Sequence, residues 1–221
     1  IAQPSAMLQY ALAKGARERV RVVLSGDGAE ELFGGRTLDG IPRRIRAARA
    51  WSRLPKAFRS PAEALFGRLN RGHSLTASPD HWALEMGIGG AHLFDHNDRA
   101  ALLRDPDLVR PDIRQEVLAP WYRDLDADPI NTVLHGYLRS QLQGVAIPTA
   151  DRTAAAAGLD IRYPLLDDGV LSAAMSLPST EKVRRVGDTL HTRLPLRALL
   201  AGALPPALVN RPKRGLPTPL G

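Results

Sequence analysis

Asp27, Glu30 and Glu31 bring three carboxylates into the short stretch SGDGAEELFGG, Ser25 to Gly35, where Gly26 and Gly28 flank the first acid. Glycines at these points let backbone N–H groups come close to an anion. Carboxylates alone repel phosphate, so the mixture fits a phosphate site in which a divalent metal stands between the acids and the phosphate oxygens. The same residues also fit a tight turn with a capping aspartate.

A site of this kind needs a strand before it and a helix after it. Val20, Val22, Val23 and Leu24 predict a buried parallel strand, which puts Ser25 to Gly28 at its carboxyl end, where open α/β sheets hold their ligands. A helix starting near Ala29 turns its positive end toward the same point. Upstream, Met7, Leu8, Ala11 and Leu12 form a helical stripe that Gly15 is expected to end. Downstream, Asn131-Thr132 is expected to cap an amphipathic helix carrying Val133, Leu134, Tyr137, Leu138 and Leu142, with Gly144 as its stop. A further helix is predicted over Val170, Leu171, Ala174 and Met175, closed by Pro178.

A second group of chemical side chains lies between Asp151 and Asp168, DRTAAAAGLDIRYPLLDD. Thr149 or Asp151 is a candidate cap for a short helix of small residues, Ala154 to Ala157, that admits close approach of another backbone or a ligand. Asp160, Arg162, Asp167 and Asp168 cluster around Tyr163-Pro164, and a buried Asp–Arg network holding this loop is the structural account of them. His92 and His96 stand at i, i+4 with Asp95 and Asp98 near, but no glutamate follows His92 as in H-E-x-x-H and no third ligand is assigned, so these read as surface residues.

Composition limits the possibilities. The chain has 221 residues, 44% of them hydrophobic, and no cysteine, so thiol nucleophiles, disulfides and thiolate metal sites are excluded within it. A single domain, 1–221, is expected, with no membrane span and a cytoplasmic location. The net charge of +7 comes largely from Arg36 to Arg59, where Asp39 is the lone acid and Ile41, Ile45 and Ala48 recur at helical spacing. That is an amphipathic helix with a basic outer face. Aromatics make up 5% of the chain and build no stacking platform among the arginines, which argues against nucleic acid and leaves anionic substrates as the better match.

SGDGAEELFGG resembles the SGDGxDELFGGY signature of the asparagine synthetase family. The block DRTAAAAGLDIRYPLLDD is similar to that family's DRxSMAxxLExRxPFLD, and RPKRGLPTP, Arg211 to Pro219, to its RxKxGFxxP. The three blocks stand in the family's order, and the resemblance covers nearly the whole chain. The resemblance implies an α/β, mostly helical fold, part of an adenine-nucleotide-hydrolase-like (PP-loop ATPase) synthetase domain. It also implies the later part of that domain. The SGGxDS pyrophosphate loop and the N-terminal glutaminase with its cysteine nucleophile are expected in a missing portion of the same protein.

The chemistry the resemblance implies is ATP-dependent amide formation through an acyl-adenylate, with ATP and Mg²⁺ as cofactors. The partners are a small-molecule or peptide carboxylate and an amine or ammonia donor. On this pattern Ser25, Gly26, Asp27 and Gly28 contact the nucleotide, with Asp27 as the active-site acid, and Asp151, Arg152 and Lys213 lie on the substrate side. Glu30 takes the place of a metal-binding aspartate, and Arg36 that of the tyrosine after FGG. Anchoring Leu196-Arg197 on the family's K-x-x-L-R segment sets Arg193 at the catalytic lysine. Pro195 fits the first turn of the following helix, so Arg193 is expected at that helix's start. Ring-closing relatives, the β-lactam synthetases and lasso-peptide cyclases, share these blocks, and a non-catalytic relative that binds nucleotide or a partner fits them too.

Overall fold

The structure, a computed structural model, describes residues 5–35, 38, 50, 53–55, 101–105 and 128–211. Nearly all of the basic segment, the histidines at 81, 92 and 96, and Lys213 with most of its block lie outside the described residues. The chain divides into two compact units, Ile1–Arg36 with Tyr137–Gly221, and Thr37–Gly136. The first unit holds every described candidate site residue. Described residues are mostly helical with few strands, an α/β composition, and none of the described helices is long and apolar enough to cross a membrane.

Helix α1, Ser5–Arg17, runs past Gly15, which has no steric need for glycine because nothing lies within 4 Å of an added Cβ. Its packed side is Ala13 rather than the expected stripe: Met7 and Leu12 are 62% and 56% exposed. Ala13 meets Ala154 and Leu159 in one buried cluster with Ala16, Val23, Ala157 and Ile161 around it. Small residues on both helices are what lets their backbones close up.

Strand β1, Val22–Leu24, pairs in parallel with β2, Asp160–Arg162, with Leu24 opposite Arg162. The ladder extends one bond further, from the Ser25 N–H to the Arg162 carbonyl at 2.8 Å. The expectation of a buried strand fails on one face. Alternation along β1 turns Val23 inward while Val22 and Leu24 are 50% and 73% exposed, because the sheet has two strands among the described residues and one packed face. Both strands nonetheless finish at the same level, so the segments beginning at Ser25 and Tyr163 emerge side by side.

Helix α2, Ala29–Phe33, is only five residues long, so the positive end it turns toward Ser25 to Gly28 carries a smaller dipole than a helix of several turns would. Its anchor is hydrophobic. Leu32 and Phe33 are buried against Ala174, Leu166 and Leu171, each worth about 1.5–3 kcal/mol of burial.

Helix α3, Pro129–Tyr137, is followed without interruption by a π-helix, Leu138–Ala146, and by α4, Ile147–Ala156. The cap is Asp128, not Asn131-Thr132: its carboxylate accepts from the Ile130 and Asn131 N–H groups at 3.1 and 3.4 Å. Gly144 does not stop the helix. Pro148 has no N–H to continue the α-ladder, and its ring would clash with the carbonyl four residues back; the wider π turns ahead of it relieve both problems. Thr149, expected as a cap, is therefore buried inside α4, and its carbonyl accepts from Thr153 Oγ1 at 2.9 Å. The end of α4 is a Schellman turn. Gly158, at φ 70, turns the chain so that Leu159 and Gly158 donate to the carbonyls of Ala154 and Ala155 at 2.9 and 3.0 Å, and β2 starts immediately after.

After β2 a 3₁₀ turn, Pro164–Leu166, leads into α5, Asp168–Ser176, the helix predicted around Val170 and Ala174. Asp167 caps it, accepting from the Gly169 N–H at 2.9 Å. The expected buried Asp–Arg network is absent among these residues. Arg162 instead pairs with Asp160 at 2.6 Å on the surface, with side chains 67% and 44% exposed. Helix α6, Ser179–Lys182, and the hairpin β3, Arg184–Val186, and β4, Thr189–His191, follow. The hairpin turns on Gly187-Asp188 with Gly187 at φ 56. Helix α7, Leu194–Ala201, and α8, Pro206–Val209, complete the described chain.

Candidate active site

Ser25 and Asp27 leave β1 and line a cleft of ≈ 320 Å³ whose other walls include Gln9 and Leu12 of α1, Thr153 of α4, Val23 and Ile161. The two residues are locked together. Ser25 Oγ donates to Asp27 Oδ2 at 2.7 Å and accepts from the Asp27 N–H at 3.2 Å. Asp27 is not a helix cap, since the N-cap of α2 is Gly28 and no side chain bonds there. Gly28 is obligatory at φ 95, where a Cβ would lie 2.5 Å from Leu166 Cδ2. Gly26 differs, because nothing stands within 4 Å of an added Cβ. Open space over its backbone is compatible with a ligand passing there.

Asp151, on α4, meets the same region through Tyr163. The Tyr163 hydroxyl donates to Asp151 Oδ1 at 2.6 Å. Burial first, then this bond and the charge of Asp151, then the charge of Asp27, all push the phenol's pKa upward. One phenol thus feels two acids from separate sequence blocks. Sequence reasoning gave Tyr163 no role, because nothing in its neighbours Arg162 and Pro164 marks it as a donor to α4. The sign of the linkage is fixed: with the folded-state value above the ordinary 10.0, the neutral phenol contributes stability below that pH, and the contribution is lost as pH rises beyond it. Thermal melts taken from pH 8 upward should therefore fall more steeply for the parent than for Tyr163→Phe; parallel curves would contradict the coupling. Arg152, next on α4, is exposed.

Glu30 and Arg193 also come together. Arg193 lies at the N-cap of α7, as the position of Pro195 predicts, in the left-handed region at φ 58 and ψ 39. No other non-glycine residue among those described has positive φ, and the conformation costs about 1 kcal/mol or more. Backbone bonds hold it there. The Arg193 N–H donates to the Phe33 carbonyl at 2.9 Å, and the Arg193 carbonyl accepts from the Arg197 N–H at 3.0 Å. Its guanidinium stands 3.8 Å from Glu30 Oε1, with the two side chains 25% and 26% exposed. That distance makes an ion pair without a direct hydrogen bond. Arg197 braces the turn from behind: it donates to the Thr192 carbonyl at 3.0 Å and the Val209 carbonyl at 2.7 Å, tying the approach to Arg193 to the end of α8.

The expectation of a metal gathered by Asp27, Glu30 and Glu31 does not fit this geometry. Asp27 is engaged by Ser25, and Glu30 faces a guanidinium and packs over Gly35, where a Cβ would lie 2.5 Å from Glu30 Oε2. Among the described residues no three histidine, cysteine or acidic side chains converge as a metal-holding group.

A glycine-flanked acid at the ends of two parallel strands, with a tyrosine that bonds a second acid and feels the charge of the first, and a cation fixed at a neighbouring helix start, defines an α/β protein with a strand-end polar site. The family model described as asparagine synthase matches residues 1–221, and the chain belongs to that family of ligases. It is 34% identical over 232 residues to putative glutamine-hydrolysing asparagine synthetases of Mycobacterium bovis and Mycobacterium tuberculosis, covering 100% of this chain and 33% of theirs. It is also 28% identical over 225 residues to asparagine synthetase [glutamine-hydrolyzing] 1 of Bacillus subtilis, covering 100% of this chain and 34% of that protein. The chain thus spans about a third of the length of the curated relatives it matches. No solved structure matches it.

Proposed function

We propose that the complete protein forms an amide bond with ATP as the energy source, in the manner of the family. A carboxylate oxygen attacks the α-phosphorus of ATP, the bond to the β-phosphate breaks and pyrophosphate leaves. The nitrogen of ammonia or an amine then attacks the acyl carbon, the bond to AMP breaks, and a proton is lost. The observation that supports this reading is that Tyr163, leaving β2, donates to Asp151 and feels the charge of Asp27, which follows β1.

In this proposal Ser25, Gly26 and Asp27 run beside the nucleotide, with Asp27 as the active-site acid of the adenylation step. Asp151, held by Tyr163, and Arg152 orient the acid, joined by Lys213. Arg193 meets negative charge as it builds on phosphate or carbonyl oxygen. No step is assigned to a metal held by Glu30. The PP-loop class of the domain and a glutaminase portion elsewhere in the protein are parts of the same proposal.

The complete protein, given ATP, ammonia and a panel of carboxylic acids beginning with aspartate, should release AMP and pyrophosphate in equal amounts with the amide. Release of ADP and phosphate instead would sink the adenylate.

A further inference from the structure

Glu30 and Arg193 belong to distant parts of the chain, and both are positions at which it departs from the pattern it resembles. They are found 3.8 Å apart, each about three-quarters buried. Three further observations make the contact a built one. The backbone of Arg193 is held at φ 58 by bonds to Phe33 and Arg197, so its side chain starts from a fixed point. Phe33 belongs to α2, the helix that carries Glu30, so the bond from the Arg193 N–H ties together the two segments bearing the pair. Gly35 leaves the room that the Glu30 carboxylate fills.

A carboxylate held this way can serve a metal only by giving up its cation. We infer that Glu30 is the positioning residue of Arg193, not a metal ligand: its carboxylate aims the guanidinium, and the cation of this subsite is part of the chain. Arginine suits that role, because it stays charged at any working pH and its planar fork keeps donors for an anion while one edge faces Glu30. What Arg193 then acts on rests on the adenylation proposed above; the pairing itself does not.

The test uses the complete protein in four forms: parent, Glu30→Gln, Arg193→Ala and the double variant. In thermal melts the shift that Glu30→Gln causes in the parent should shrink or vanish in the Arg193→Ala background; an equal shift in both backgrounds would overturn the pairing. Mn²⁺ binding, followed by electron paramagnetic resonance without nucleotide, should change less than about 2-fold between parent and Glu30→Gln, whereas loss of a Glu30-dependent site by 10-fold or more would overturn the inference. In ATP–pyrophosphate exchange, Glu30→Gln should lower kcat about 10-fold with KM for ATP unchanged, and should have no further effect in the Arg193→Ala background. Undiminished exchange by Glu30→Gln would refute the positioning role. A parent with no exchange at all counts against the proposed reaction alone, and the melts and Mn²⁺ binding then judge the pair.

Discussion

Asparagine in place of Asp27 should lower ATP–pyrophosphate exchange by the complete protein about 10²-fold or more and leave its melting temperature nearly unchanged. The geometry separates these two effects. Asparagine keeps an oxygen that accepts from Ser25 Oγ, as Asp27 does at 2.7 Å, and keeps the backbone N–H that donates back at 3.2 Å. The turn therefore survives, and what disappears is negative charge at the lip of a cleft. A capping aspartate would behave in the opposite way, costing about 1 kcal/mol of stability with little loss of activity. That role is already taken out of contention by Gly28, which stands at the N-cap of α2 without a side-chain bond. Melting temperature and exchange measured on the same preparation decide the matter: a less stable, fully active Asp27→Asn protein would remove Asp27 from the chemistry.

What was legible in the sequence was the order of strand, loop and helix around Ser25 to Gly28, and the places where a single residue type forces the backbone. Pro195 puts Arg193 at a helix start, and the helix over Val170 to Met175 ends before Pro178, as expected. The Gly187-Asp188 turn is equally open to reading between the two short alternating runs it joins. Capping was harder. Asp128 and Asn131 are both good cap residues, and the choice depends on which the helix can reach with an unbonded N–H. Gly144 and Pro148 each look like stops, yet the helix runs through both, with nine residues of π-helix, Leu138–Ala146, ahead of Pro148. Burial on β1 is not set by the apolar type of Val20, Val22, Val23 and Leu24, which says nothing about how many faces are covered. The two contacts that matter most for the site, Tyr163 with Asp151 and Arg193 with Glu30, join residues whose separation in sequence carries no distance information.

Alanine at Arg193 should abolish amide formation by the complete protein with little change in thermal stability, whereas Arg193→Lys should retain much of the activity because the charge survives. Stability is expected to hold because the turn does not depend on the side chain. The bonds to Phe33 and from Arg197 are made by backbone atoms, and Arg197 grips the Thr192 carbonyl whatever residue follows. Alanine at φ 58 carries the same left-handed strain as arginine, so that cost cancels between parent and variant. The Glu30 carboxylate, 26% exposed, keeps some water when its cation goes, which limits the penalty of breaking the pair. Glycine provides the sharper control. Arg193→Gly removes the same side chain and also the strain, so its folded backbone should be easier to hold while its unfolded chain gains freedom, two effects of about 1 kcal/mol that oppose one another. If both Arg193→Ala and Arg193→Gly melt near the parent and neither makes amide, the guanidinium serves the reaction and not the fold. Turnover by Arg193→Ala at the parent's rate would mean either that the anchoring on Leu196-Arg197 is wrong or that the site has stopped doing chemistry, and a nucleotide- or partner-binding relative would become the better reading.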